Sequence, residues 1–421
     1  MNIPLNREQK IVIDDIITTM YDKGYGNVRR GYYDYPDLFI TTVGGYAGTG
    51  KTFLISQLRN KINNIFPNIT VAFVTFTGKA SSVLKYRLKE SGSLYFEDYV
   101  GTIHGLIYKP EYIWDKKLKS FVIIGWTRKG SDEIPYQLII IDEASMVSKE
   151  IWNDLKSFDK SIISVGDHGQ LPPIGDQFSL LASPDYKLTQ IHRHSLNSPI
   201  IALSKFIRDE GYIPTNKYFS QEVFKLSWDH PMCQKIWNDK ITIDKDLIIL
   251  CGFNTTRCYI NNLIRKRLHY RKKEPYPGER LVCLANNHYI KIMNGQTGSL
   301  MWLMPDDADL YRLTLEMDDG EIYESMASNK CFGQVSYTIY EKSKKMKEQV
   351  ETAANKGFQK VDYFDYGYCI SVHKSQGSEW ERVVLFEQRT NRWDDEYYAR
   401  WLYTAVTRAK QKLFIISDFY G

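Results

Sequence analysis

Gly45-Tyr46-Ala47-Gly48-Thr49-Gly50-Lys51-Thr52 sets two glycines and a Lys-Thr pair at the spacing G-x-x-x-x-G-K-[ST]. Glycines in such a loop let backbone N–H groups face phosphate oxygens, and a helix N-terminus behind them adds a favourable dipole. Gly45, Ala47, Gly48, Thr49 and Gly50 would then form the cradle. Lys51 would neutralise the β- and γ-phosphates of a nucleotide, and Thr52 would bind Mg²⁺. A second carboxylate-bearing turn follows the apolar run Leu138-Ile139-Ile140-Ile141. There Asp142 is suited to the Mg²⁺ shell and Glu143 to activating the attacking water. GTPase-type sites orient that water with Gln, so Glu143 points elsewhere. Gly166-Asp167-His168-Gly169-Gln170-Leu171-Pro172-Pro173 follows another apolar run, and Gln170 is placed to sense the γ-phosphate. Taken alone, the pair Asp142-Glu143 is a solvated strand end and the Gln170 segment a turn; the upstream phosphate loop gives them chemistry.

These residues need a scaffold. The runs 38–43, 71–75, 138–141 and 161–165 are apolar and β-branched, and they alternate with helical stretches at 7–21 and 51–65. Continuous apolar strands between helices predict a parallel sheet covered on both faces. Residues 24–37, rich in Gly, Tyr and Arg, read as a loop. The segment 108–136 breaks the pattern: two apolar-aromatic runs, 111–115 and 121–126, flank Lys116-Lys117-Leu118-Lys119-Ser120 and predict an inserted β-hairpin. Alternation resumes near 186, with a strand at 246–251 and a helix at 254–269. Short Gly-punctuated segments over 275–340 suggest a small barrel, and 341–356 a polar, lysine-rich helix. Residues 367–421 return to α/β character and end on the strand 413–416. The expected division is 1–107 and 137–185 for a first α/β domain, and 108–136 for the hairpin. A second α/β domain takes 186–270 and 367–421, with 271–366 inserted in it.

The 421 residues suffice for about three domains at roughly 150 each. With 43% hydrophobic and 25% charged residues, a mainly disordered chain is excluded. No stretch approaches the roughly 20 apolar residues of a spanning helix. The opening residues lack the basic-then-apolar order of a signal peptide, and a cytoplasmic protein is expected, in the host cytoplasm if viral. The six cysteines form no Cys-x-x-Cys pair and read as buried reduced thiols. A net charge of +5 permits a polyanionic partner without demanding one. Thirty tyrosines, several beside Lys or Arg, are compatible with base stacking and equally with core filling.

In this order the motifs resemble a superfamily 1B helicase of the RecD/Dda-like branch, and the matches run from Leu5 to Ile416. The resemblance implies two RecA-like P-loop domains, a β-hairpin pin and an SH3-like barrel, called 2B, marked by Asn294-Gly295-Gln296-Thr297-Gly298. It implies Mg-ATP as the energy source and 5′-to-3′ movement on single-stranded DNA. Gln9 falls where the family reads adenine, and His192 and Glu379 fall at the nucleotide. Thr75-Phe76-Thr77-Gly78-Lys79-Ala80 resembles motif Ia, and Gly101-Thr102-Ile103-His104 motif Ib. Leu188–Arg193 resembles motif IV, with Arg193 as one arginine finger. Ser371–Glu379 resembles motif V, and Leu402–Lys410 motif VI, with Arg408 as the second finger. Two departures from Dda itself are the extra segment 28–35 and the Gln-Gly-Ser-Glu-Trp form of motif V.

The resemblance also implies a DNA path. Phe76 would stack on a base, worth roughly 1–3 kcal/mol. Thr77, Lys79, Thr102, His104, Ser371, His373 and Lys374 would hold phosphates without reading sequence. Leu118 and Phe121 would be the apolar wedge of the pin, with Trp114 and Trp126 at its base. The expected partners are single strands and single/double-strand junctions, engaged by a monomer. Two rivals stay open: a translocase that strips bound proteins with little unwinding, and a nucleotide-gated binding or loading module.

Overall fold

The computed structural model describes residues 4–419 apart from 27, 30–31, 34–35, 116–119, 174–177, 192–197, 241–243, 245, 286, 288–291, 293, 307–308, 319, 336–351, 353–355 and 357–360. The chain divides into two compact units, residues 1–111 with 125–201, and residues 112–124 with 202–421.

The first unit is built on a six-stranded parallel sheet. Its order is Tyr186–Leu188, Ile40–Gly45, Ser161–Gly166, Leu138–Ile141, Val71–Thr75, Tyr99–Thr102. Its central strands are buried on both faces, as their unbroken apolar runs require. One face carries the helices Arg7–Asp22 and Lys51–Ile65 through Val12, Ile16, Met20, Leu54, Ile55 and Leu58. The other is covered by Ile103, Leu106, Val147, Trp152 and Leu155. The strand Tyr186–Leu188 pairs with Ile40–Gly45, so the first domain extends past the expected boundary at 185. Only three residues long, it gave no periodic signal. The span 24–37 also departs from a plain loop: Val28–Arg29 and Tyr32–Tyr33 pair as a short antiparallel ladder. Tyr108–Asp115 and Ser120–Arg128 form the expected two-stranded hairpin. Its tip, with Leu118, lies outside the described residues, and only the backbone is described at Trp114, Phe121 and Trp126.

The second unit has its own six-stranded sheet, in the order Lys217–Tyr218, Val223–Ser227, Ala409–Ser417, Trp380–Phe386, Leu247–Cys251, Cys369–Ser371. All pairings but the first are parallel. Between Leu247–Cys251 and Cys369–Ser371 the chain makes a third sheet: Val361–Asp362, Ile322–Ser328, Leu310–Met317, Thr297–Asp306, Arg280–Cys283, Phe364–Tyr366. Its two outer strands, Val361–Asp362 and Phe364–Tyr366, are separated by one residue. The sheet is therefore drawn nearly closed, which fits the expected small barrel. The expected lysine-rich helix at 341–356 falls almost wholly outside the described residues. All six cysteines are buried free thiols. Among the described residues no helix is long and apolar enough to cross a membrane.

Candidate nucleotide and strand sites

The phosphate loop leaves the strand Ile40–Gly45 and enters the helix Lys51–Ile65, at the carboxyl end of the sheet where open α/β folds bind ligands. Gly48 and Gly50 have φ of 80° and 78°, a region closed to most side chains, and Gly50 is the helix N-cap. A β-carbon on Gly45 would lie 2.7 Å from Thr49 Oγ1 and 3.1 Å from Leu188 Cβ. Lys51 Nζ donates to the carbonyls of Gly45 (2.9 Å) and Tyr46 (3.1 Å) and lies 3.9 Å from Asp167 Oδ2.

Asp142 emerges from the strand Leu138–Ile141, which Ser161–Gly166 separates from Ile40–Gly45. Burial raises its carboxyl above the usual carboxylate range, opposed by the Glu143 N–H, by Lys51 and Arg87, and by a hydrogen bond from Thr52. A threonine hydroxyl beside a carboxylate is the hard-oxygen pair that Mg²⁺ prefers, so Thr52 and Asp142 fit that ion. Glu143 holds a left-handed backbone at φ 57°, ψ 39°, uncommon for a residue with a β-carbon. Gln170 is buried and donates to Asp167 Oδ2 at 3.3 Å, while Gly169 N–H donates to Asp167 Oδ1. Its own Oε1 has no hydrogen-bond partner among the described residues.

Gln9 is fully buried although polar. Its Oε1 accepts from the Asn6 N–H and the Asn6 side chain accepts from the Gln9 N–H, a reciprocal cap at the start of the first helix. Its Nε2 donates to Thr49 O at 3.1 Å, which ties that cap to the phosphate loop. Beside it, Glu8 accepts from the Thr189 N–H and hydroxyl and the Gln190 N–H, fixing the first half of motif IV. His192 and Arg193 lie outside the described residues.

Four neighbours of this site were given no role by the sequence. Asp167 is buried and faces Lys51. His168 and Tyr46 have ring centroids 4.2 Å apart. Arg87, from the helix Gly78–Glu90, donates to Thr52 Oγ1 at 3.4 Å. Only folding brings a residue 35 positions away to the loop.

The motif Ia and Ib residues share one corner of the same unit. Thr75 and Thr102 are register partners on adjacent strands. Thr77 caps the helix Gly78–Glu90 by accepting from Ala80 N–H, and Thr102 caps Ile103–Ile107 by accepting from Gly105 N–H. A hydroxyl that caps as an acceptor keeps its hydrogen for a phosphate oxygen. The half-buried Phe76 stands edge-on to His104, centroids 6.1 Å apart, and burial pushes the His104 pKa down. Lys79 lies in the first turn after Thr77, described by its backbone only.

In the second unit, Ser371 opens the turn Val372–Ser375, and His373 shares a 2.7 Å hydrogen bond with Tyr397 Oη. Burial, then the Arg257 charge, pushes Lys374 down to about 8. Arg408 is buried, and its guanidinium donates to Thr404 O, Ser378 O and Thr407 Oγ1. Glu379, next to Ser378, is exposed.

Residues 37–176 match the AAA domain model, and residues 366–416 match the UvrD-like helicase C-terminal domain model. An ATP-dependent RecD2 DNA helicase of Deinococcus radiodurans is 23% identical over 88% of this chain and 46% of its own length. An uncharacterized protein of Acanthamoeba polyphaga mimivirus is 28% identical over 60% of this chain and 57% of its own. The chain thus spans about half the length of these relatives. Among solved structures, Pif1 helicase at forked double-stranded DNA aligns with a TM-score of 0.54 at 18% identity, covering 100% of this chain and 93% of the other. A Bacteroides Pif1 helicase with ADP-AlF3 and single-stranded DNA aligns with a TM-score of 0.52 at 17% identity, covering 100% and 94%. These likenesses show the fold.

Proposed function

We propose that this chain, a RecD/Pif1-like superfamily 1B helicase, hydrolyses Mg-ATP to move 5′ to 3′ along single-stranded DNA and to open the duplex ahead of it. One observation carries the coupling. Lys51, Asp142 and Gln170 follow three neighbouring strands of the first sheet, while Phe76, Thr77, Thr102 and His104 follow the next two at the same end. Nucleotide and strand would therefore bear on a single rigid element.

In this reading Lys51 offsets phosphate charge, and Thr52 and Asp142 hold the Mg²⁺, which supplies charge neutralisation between the phosphates. Glu143 takes the proton of the attacking water. Gln170, with its Oε1 still available, senses the γ-phosphate. Gln9 orients adenine beside the loop it braces. Arg193 and Arg408 act on the charge that develops during phosphoryl transfer, and His192 and Glu379 complete the nucleotide shell. Thr77, Lys79, Thr102, His104, Ser371, His373 and Lys374 grip phosphates, Phe76 stacks on a base, and Leu118 with Phe121 forms the wedge. The bound partners of Pif1 in the solved structures, single-stranded and forked DNA, support this choice of substrate.

Strand displacement on duplexes with a 5′ or a 3′ single-stranded tail tests the reading. ATP-dependent displacement is expected on the 5′-tailed duplex only. Preference for the 3′ tail would reverse the assigned direction. Strand-stimulated ATP hydrolysis without displacement would favour the protein-stripping translocase, and an absence of turnover the loading module.

A further inference from the structure

The helix Asn254–Arg267 ends at a cavity of about 840 Å³ inside the second unit, walled by its last turn, the loop that follows and the turn Phe332-Gly333-Gln334. We propose that this cavity is a further nucleic-acid site, taking the phosphodiester backbone of the single strand beyond motif V. The proposal rests on the strand-binding reading above.

Charge is the first argument. Lys266, Arg271, Lys272 and Lys273 line the cavity, all are exposed, and no carboxylate side chain lines it among the described residues. The helix end does not account for them: its dipole amounts to roughly half a charge. Arg265, Lys266 and Arg267 already occupy the last turn, and Lys272 and Lys273 lie beyond it.

Construction is the second. Arg265 is buried, paired with Glu279 at 2.7 Å, and its guanidinium lies 4.1 Å from the centre of the Tyr366 ring. It also donates to the carbonyls of Lys272 (2.8 Å) and Glu274 (3.0 Å), and the Tyr366 hydroxyl donates to Lys273 O. The carbonyls of the loop are thus engaged inward and its lysines remain exposed to solvent. The helix closes with Tyr270 N–H on Arg265 O and His269 N–H on Lys266 O. This leaves His269 at φ 63°, where glycine is the favoured residue. Tyr270, half-buried on the cavity wall, stacks on Tyr276 with centroids 4.8 Å apart. Cations interleaved with an aromatic platform suit a single strand.

Position is the third. Gly333 N–H donates to Asp365 Oδ1, and Arg257 both pairs with Asp365 and donates to Gln334 O. Lys374 of motif V lies within the electrostatic reach of that same Arg257–Asp365 pair. The cavity floor and the predicted strand path therefore share one ion pair.

The test is equilibrium binding of oligo-dT of increasing length, without nucleotide, to the full chain and to Lys266→Gln/Lys272→Gln/Lys273→Gln. The shortest oligonucleotides that bind should bind both proteins alike, with the deficit growing to tenfold or more as length increases. The salt dependence, log K against log salt, should flatten by about 2, since each phosphate contact on a single strand contributes about 0.7. The corresponding triple Lys→Arg variant should restore both. An equal deficit at every length, an unchanged salt slope, or poly-glutamate competing as well as oligo-dT would overturn the proposal. Thermal melts of the variants separate a folding defect from a lost contact. A wild type that binds oligo-dT yet shows no strand-stimulated ATP hydrolysis would sink the helicase reading while this length series still decides the cavity. A wild type that binds no oligo-dT at all would overturn the cavity proposal outright.

Discussion

Glu143 keeps a left-handed backbone at a position where a β-carbon is disfavoured by roughly 1–2 kcal/mol. A strained residue in a proposed phosphate site invites a trade between stability and chemistry. Glu143→Gln should leave ATP binding near wild type and abolish hydrolysis; Lys51→Ala should weaken binding itself. Glu143→Gly should also be inactive, yet more stable than Glu143→Gln by about 1 kcal/mol in denaturant titration. Wild-type hydrolysis in Glu143→Gln would remove the residue from its role. Lys374 supplies a pH signature. Burial, with Arg257 adding repulsion, lowers it to about 8, so it is charged below that pH and neutral above it. Strand affinity should therefore fall between pH 7 and 9 in the wild type and stay nearly level in Lys374→Arg. Parallel profiles for the two proteins would show that Lys374 does not hold phosphate.

At the scale of elements, the hairpin Tyr108–Asp115/Ser120–Arg128 interrupts the chain between the motif Ib helix and the strand Leu138–Ile141. Both its strands contain the expected apolar-aromatic runs, 111–115 and 121–126, because two such runs about a short polar turn are a local signal. A wedge at its tip should make Phe121→Ala, or Leu118→Ala, lower unwinding while sparing strand-stimulated ATP hydrolysis and translocation. Splitting one base-pair step costs on the order of 1.4 kcal/mol, so loss of an apolar cap should slow unwinding by roughly tenfold. Equal loss of translocation and unwinding would mean that these residues grip the strand. No loss in the double variant would reduce the hairpin to a surface feature. The short strand Tyr186–Leu188 is the contrary case. Three residues carry no legible period, and only its pairing with Ile40–Gly45 reveals that the first domain continues through it.

For the whole molecule, the proposed cycle needs cations from beyond the first sheet to act on the nucleotide. Arg193→Ala and Arg408→Ala should each slow hydrolysis far more than they weaken strand binding, by roughly 10³-fold or more, the range of arginine fingers in related phosphoryl transfer. Steady-state turnover at saturating single-stranded DNA, set beside strand affinity, checks this. Normal turnover in either variant would remove that arginine from the reaction. Arg408 carries a second expectation: its guanidinium holds Thr404 O and Ser378 O. Arg408→Ala should therefore also lower thermal stability, and Arg408→Lys should recover part of that stability without recovering turnover.

The strand–loop–helix around Lys51 and the strand end that carries Asp142 were legible from residue type and spacing alone. A phosphate cradle, its lysine and the carboxylates of the next strands depend on turns a few residues long, and such turns are locally encoded. The parallel sheets were legible too, because strands covered on both faces must be continuously apolar. Three-dimensional pairing decided the rest. Gln9 reaches Thr49 across 40 residues, and Arg87 reaches Thr52 across 35. The two end strands of the barrel-like sheet are chain neighbours, and the basic cavity joins a helix end to a turn some 60 residues later. Periodicity records which face of an element is buried and is silent about what covers it, so strand order and the meeting of distant side chains are settled only when the chain packs.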